Sequence, residues 1–227
     1  MINSSISSGS GSPQVVEPTE KIALFNGDNL DGWTSDIPAR DTDPDAPDIV
    51  EVKNGVIVTP GVSVGHLISN QAFRNYRLEV EYRLPPIGGG GSVLIHVSKL
   101  RVLRTKSKNI FPQSLDIKIR HKDAGDIYCI EENIDCSDSD RRPCEPGQVP
   151  GGSAENARHI IKLKDAEAPV GDWNTMVVES RGRDIQIWLN GTLVNEGSNC
   201  TTDHGKVALQ ATEQPVEFRR VEILPLR

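Results

Sequence analysis

Apolar and polar residues alternate one by one along much of this chain, the period of strands with one face in a core and the other toward solvent. From Tyr76 to Leu84, residues Tyr76, Leu78, Val80, Tyr82 and Leu84 share one face, and Arg77, Glu79, Glu81 and Arg83 the other, with alternating charge signs. Such a row is either a solvated sheet face or the lining of a groove. Ser114 to His121 repeats the pattern: Leu115, Ile117 and Ile119 turn inward, and Ser114, Asp116, Lys118 and Arg120 share the opposite face. An acid, an amine and a guanidinium in register make that face a candidate site. Asp184 to Leu189 sets Ile185, Ile187 and Leu189 against Asp184, Gln186 and Trp188. Shorter strands are expected over 22–25, 65–69 and 93–97.

Turn signals separate these runs. Asn54-Gly55 predicts a hairpin within 49–59, and Asn190-Gly191 another, because both central residues of a type I′ turn need φ > 0. The glycine run Gly88 to Gly91 lacks a following Lys-Ser/Thr and a helix start, so it reads as a flexible turn and not as a phosphate loop. The pattern as a whole predicts antiparallel all-β structure, and 227 residues are compatible with one core.

Composition narrows the partners. A net charge of -7, with no basic cluster beyond pairs such as Arg141-Arg142 and Arg219-Arg220, argues against nucleic acid and anionic membranes; a neutral ligand such as a sugar fits. No stretch approaches the ~20 apolar residues of a membrane span. Four cysteines allow three disulfide pairings, and the wide spacing of Cys129, Cys136 and Cys144, with no His pair nearby, fits zinc badly. The acidic loops Asp41-Thr42-Asp43-Pro44-Asp45 and Asp138 to Asp140 lack the glycine and terminal glutamate of an EF-hand and read as solvated. Residues 1–20, rich in Ser and Gly with neither a charged n-region nor an apolar h-region, read as a linker or processed start, and 21–227 as the folded domain.

The nine residues Phe25 to Trp33, FNGDNLDGW, resemble the opening motif of the 3-keto-disaccharide hydrolase family. Glu81-Tyr82-Arg83 with the glycine turn, Asp116-Ile117-Lys118 with Gly125-Asp126-Ile127-Tyr128, Gly171-Asp172-Trp173-Asn174, Trp188-Leu189-Asn190-Gly191, Gly205 to Gln210 and Glu217-Phe218-Arg219-Arg220 resemble that family's later motifs in order. The resemblance spans Ile22 to Leu226. It implies a concanavalin A-like jelly-roll sandwich of two antiparallel sheets with a carbohydrate groove on the concave face, and a secreted or periplasmic setting.

The resemblance also implies 3-keto-glycosides as substrates. A ketone at C3 acidifies the C2 proton, so the glycosidic bond can break by elimination, followed by hydration of the enone. The chemistry needs a base near C2, an acid near the glycosidic oxygen and stabilisation of an enolate. Asp116 falls on the family's Glu and is the candidate base or metal ligand; Lys118 falls on its Gln and is a candidate enolate stabiliser. His121 is a candidate proton shuttle. Gln210 and Glu213 match a rim loop in which Gln214 stands in place of the usual Gly, and Glu213 is either a second acid/base or a solvated carboxylate. His96, Glu81, Tyr128, Trp188 and Gln210 are candidate substrate contacts, although His96 is equally a structural residue and Trp188 equally a side chain under a covering loop. A divalent metal is an optional assistant. The rival readings are a non-catalytic carbohydrate-binding module on the same fold and an interaction domain whose groove is covered.

Overall fold

The computed structural model describes residues 14–86, 88–101, 110–142 and 158–227, and the protein is the expected sandwich of two sheets. Sheet A runs β1 (Val15–Val16), β6 (Gly65–Arg74), β15 (His204–Ala211), β8 (Ser92–Lys99), β9 (Gln113–Lys118), β10 (Ile127–Ile130), β11 (His159–Ile160), with β3 (Trp33–Asp36) also on β6. Sheet B runs β14 (Thr192–Gly197), β13 (Asp184–Leu189), β12 (Trp173–Arg181), β7 (Tyr76–Arg83), β16 (Val216–Pro225), β5 (Val56–Thr59), β4 (Glu51–Lys53), with β2 (Ile22–Ala23) on β16. All pairs are antiparallel except β1 with β6. That parallel pair falls inside the stretch expected to be linker. Val15 and Val16 are β-branched, follow Pro13, and pair with Ala72 and Phe73 before Pro18 interrupts the strand.

The inward faces are the apolar halves of the alternating runs. Tyr76, Leu78, Val80 and Tyr82 of β7 meet Leu115 and Ile117 of β9, Val93 and Ile95 of β8 and Phe73 of β6 in one buried cluster. Losing a large side chain such as Phe218 from it would cost about 3–5 kcal/mol. The expected turns form with the backbone they need: φ is 53° and 76° at Asn54 and Gly55, 50° and 78° at Asn190 and Gly191. Among the described residues no helix is long and apolar enough to cross a membrane.

The outward face of sheet B closes its charges on itself. Arg77 reaches Glu79 at 2.9 Å and Glu179 at 3.0 Å; Arg219 and Arg220 reach Glu81 at 2.6 and 2.9 Å; Arg83 pairs with Glu217. Arg83 and Arg219 also flank the Trp173 ring, 4.7 and 4.3 Å from its centroid. Exposed pairs of this kind contribute about 0–1 kcal/mol each, so the core holds the fold and the network satisfies the charges. The row is therefore a solvated face. Glu81 is a member of it, ion-paired to Arg219 and Arg220.

His96 departs from strict alternation. A register shift in β8 after Ile95, matched in β15 between Lys206 and Ala208, puts His96 at φ 55° and turns its ring inward, where Nε2 lies 2.9 Å from Ser180 Oγ on β12. Gly205 makes room for this bulge, since a Cβ there would stand 2.7 Å from the Val97 nitrogen. His96 thus links the two sheets through the core, the structural place that the sequence also allowed it. Cys129, Cys136 and Cys200 are free thiols, with burial pushing Cys129 up to about 11 and Cys200 up to about 12; Cys144 lies outside the described residues.

Burial lowers the pKa of His96 from 6.5 to about 4, and that of His66 likewise. The unfolded chain therefore binds protons that the folded chain refuses, and stability falls as pH drops from 6.5 toward 4. Buried Glu132 and half-buried Glu167 shift upward and act in the opposite sense, so the informative quantity is a difference between variants. Asn tolerates left-handed backbone. In His96→Asn the fall should be shallower by up to about 1.4 kcal/mol per pH unit, read from urea midpoints between pH 7 and 4.5. Identical slopes would show that His96 carries no such linkage.

Candidate functional site

The polar half of β9 faces outward from sheet A and meets its neighbours in register. One cross-strand row runs His66, Gln210, Ser92, Lys118; the next runs Ile68, Ala208, Leu94, Asp116, Tyr128, His159. Asp116 is 1% exposed, so its charge needs a partner inside the protein. Lys118 Nζ supplies it, donating to Asp116 Oδ2 at 2.8 Å and to Ser92 Oγ at 3.3 Å. The same ammonium lies 4.9 Å from the centroid of the Tyr128 ring. His159 stacks on Tyr128 at 4.3 Å and 12°, and its Nε2 is 2.7 Å from Asp126 Oδ2. Asp126 Oδ1 in turn accepts the Lys162 amide at 2.9 Å. A chain of contacts from the β11 edge inward thus fixes Lys118 against Asp116. Asp116 Oδ1 has no hydrogen-bond partner among the described residues.

Two cavities meet over this face. One, of about 290 Å³, contains Asp116, Lys118, Tyr128 and Phe111 together with Arg120 and Arg158. The other, of about 440 Å³, contains Gln210, Thr212, Glu213 and Gln214 and shares Lys118 and Arg120 with the first. The fold therefore gathers Asp116, Lys118, Tyr128, Gln210 and Glu213 of the expected set along one cleft. A third cavity of about 410 Å³, bounded by Glu179, Asp184 and Glu196 beside β12 to β14, holds none of the candidates.

Two other candidates lie elsewhere. β9 ends at Lys118, and the turn that follows, with Lys122 at φ 72° and Gly125 at φ 98°, breaks the alternation. His121 is carried away by it, exposed and 3.8 Å from Glu167. Trp188 does face outward, but on sheet B, opposite Val177 and Leu193. Neither shares the cleft.

Sequence reasoning missed His66, Phe111 and Arg158. His66 is wholly buried beside Gln210, its ring edge-on to Phe111 at 5.5 Å, and neither ring nitrogen has a hydrogen-bond partner among the described residues. Burial pushes its pKa down to about 4, so it is neutral near pH 7. Its signal was the alternation of Gly65 to Ser69: Leu67 inward places His66 outward. Arg158 and Phe111 carried no periodic signal. For metal, no group of three or more His, Cys, Asp or Glu among the described residues is placed to hold an ion. In the acidic loop, Asp41 pairs with Arg101 at 2.5 Å, and Asp43 accepts the Asp45 amide at 3.1 Å.

The sequence profile of the 3-keto-alpha-glucoside-1,2-lyase-like domain matches residues 20–224. The chain belongs to that family. Its fold is similar to that of a candidate glycosyl hydrolase from Parabacteroides distasonis, at TM-score 0.60 and 18% identity over 92% of this chain and 94% of that one. It is similar as well to the carbohydrate-binding module CBM66 from Bacillus subtilis, at TM-score 0.54 and 13% identity over 84% and 94%. The Crh5 transglycosylase in complex with NAG gives TM-score 0.56 and 10% identity over 96% and 88%. No curated protein sequence matches the chain. At these identities the likeness is one of fold, a sandwich of two antiparallel sheets.

In this member of the family the glycine run turns at Gly88, where φ is 91°, and packs closely over Gly89 to Gly91. Thr212 Oγ1 donates to the Gly90 carbonyl at 2.8 Å, and a Cβ on Gly91 would stand 2.6 Å from the Gln210 carbonyl oxygen. The glycines let the loop that carries Glu213 press onto the strand that leads to Ser92. Gly89→Ala, whose Cβ would meet the Pro215 carbonyl oxygen, should push this loop off sheet A and cost about 1–3 kcal/mol, read as a lower urea midpoint. Unchanged stability would show that the loop yields freely.

Proposed function

We propose that the protein cleaves the glycosidic bond of 3-keto-glycosides by elimination and hydration, with Asp116 as the base and Lys118 as its electrostatic partner. The observation that carries this reading is the buried Asp116–Lys118 pair at the edge of a cavity, with one carboxylate oxygen left unbonded. Asp116 takes the C2 proton, and the electron pair moves onto the C3 oxygen as an enolate. The enolate then re-forms the ketone, the C1–C2 double bond forms, and the C1–oxygen bond breaks. The leaving oxygen takes a proton, and water adds to C1 as a proton returns to C2. The products are the free 3-keto sugar and the alcohol.

Proton transfer suits this pair. When Asp116 is neutralised by the substrate proton, Lys118 loses its counter-charge as the enolate gains one, so the ammonium exchanges one anion for another at little reorganisation cost. Glu213, on the adjoining cavity, is the carboxyl assigned to proton exchange with the leaving oxygen and the attacking water, and Gln210 to sugar hydroxyls. A second reading, a carbohydrate-binding module without catalysis, is favoured by the direct 2.8 Å contact, which leaves only one oxygen of Asp116 available as a base.

The test is release of a chromogenic aglycone from a 3-keto-glucoside, beside the unoxidised glucoside. Release should occur from the keto substrate alone. Asp116→Asn should lower kcat by about 10²–10⁴-fold, and Lys118→Met by about 10²–10³-fold. Sugar binding without release would leave the binding module, and full activity in Asp116→Asn would remove Asp116 as the base.

A further inference from the structure

The cavity beside Asp116 holds more positive charge than elimination uses. Lys118, Arg120 and Arg158 line it against a single acid, Asp116, in a chain whose net charge is -7. Two of the three cations are engaged: Lys118 with Asp116, and Arg120 with Asp123, to which its Nε donates at 2.7 Å. Arg158 has no hydrogen bond or ion pair to any described residue, and its Nε is closed off from solvent. A buried donor without an acceptor is costly, and one kept beside a reactive pair points to an acceptor brought by the ligand.

The reaction itself does not call for this charge. Elimination moves one negative charge from Asp116 to the enolate and creates none, so Lys118 serves both states. A cation left over in the resting site matches an anion that the substrate carries throughout. Phe111, Ile130 and Tyr128 give the cavity the apolar walls that enclose a ring, and a guanidinium fork binds carboxylate or phosphate oxygens with directional, charge-assisted hydrogen bonds.

We propose that this cavity holds the oxidised sugar ring and that Arg158 receives an anionic group on it. The natural place for that group is C6, the exocyclic carbon remote from the reacting C1 to C3. The preferred substrates are then acidic 3-keto-glycosides. This rests on the cleavage proposed above for its orientation, but the binding preference stands without turnover.

The experiment compares three 3-keto-glycosides with one chromogenic aglycone: the glucoside, the glucuronide and the glucoside 6-phosphate. A value of kcat/KM at least tenfold higher for an acidic substrate is expected, and which acid benefits identifies the group. Arg158→Met should bring the ratio to about one, and Arg158→Lys should retain part of it. An equal fall for neutral and acidic substrates in Arg158→Met would mean that the arginine serves the enolate, and would overturn the proposal. If none of the three is cleaved, calorimetric titration with methyl glucuronide and methyl glucoside decides. Tighter binding of the glucuronide, lost in Arg158→Met, supports the acidic site independently of the reaction. Equal binding, or no binding of either, overturns it.

Discussion

A carboxylate removed from water must be neutralised where it lies, and the outward face of sheet A is organised around that requirement at Asp116. Lys118 answers it across 2.8 Å. A lysine is flexible, however, and three further contacts narrow its freedom: Ser92 from β8, the Tyr128 ring from β10, and, behind Tyr128, the His159–Asp126 pair at the sheet edge. Each link comes from a different strand, so the geometry of the pair is a property of the whole sheet. The arrangement leaves one oxygen of Asp116 uncommitted, which separates a candidate base from a purely structural ion pair.

The two sheets manage polar residues in opposite ways. On sheet B, acids and bases interleave across β7, β12 and β16 and neutralise one another, with Trp173 held between two arginines. On sheet A, β6, β15 and β8 bring mainly apolar and neutral residues to the outward face, so the charges of β9 stand among Leu94, Ala208 and Gln210. Fewer competing partners and lower local polarity strengthen each remaining charge interaction. The bulge at His96 adds to the contrast, because it turns an imidazole inward and an apolar Val97 outward to join Ile68, Leu94 and Ala208.

Much of this was legible in the chain. Alternation placed Leu115 and Ile117 in the core and Asp116 and Lys118 together on the other face, because side-chain direction along a strand has a period of two and needs no tertiary information. Asn54-Gly55 and Asn190-Gly191 announced their turns by the φ they tolerate. The same rule does not hold at His96, since a one-residue bulge inverts the face and leaves no composition signal, and the run read as alternating to His121 ends as a strand at Lys118.

The sequence by itself determined which residues share a face within a strand, the antiparallel all-β class and, through the ordered motifs from Phe25 to Arg220, the family. Only the tertiary structure decided which faces meet. Glu81 and Trp188 have the same outward alternation as Asp116, yet they lie on the other sheet, and His66 joins Gln210, Ser92 and Lys118 from strands scattered along the chain. Strand order is set by the packing of inward faces against one another, a non-local balance that no single run of residues encodes.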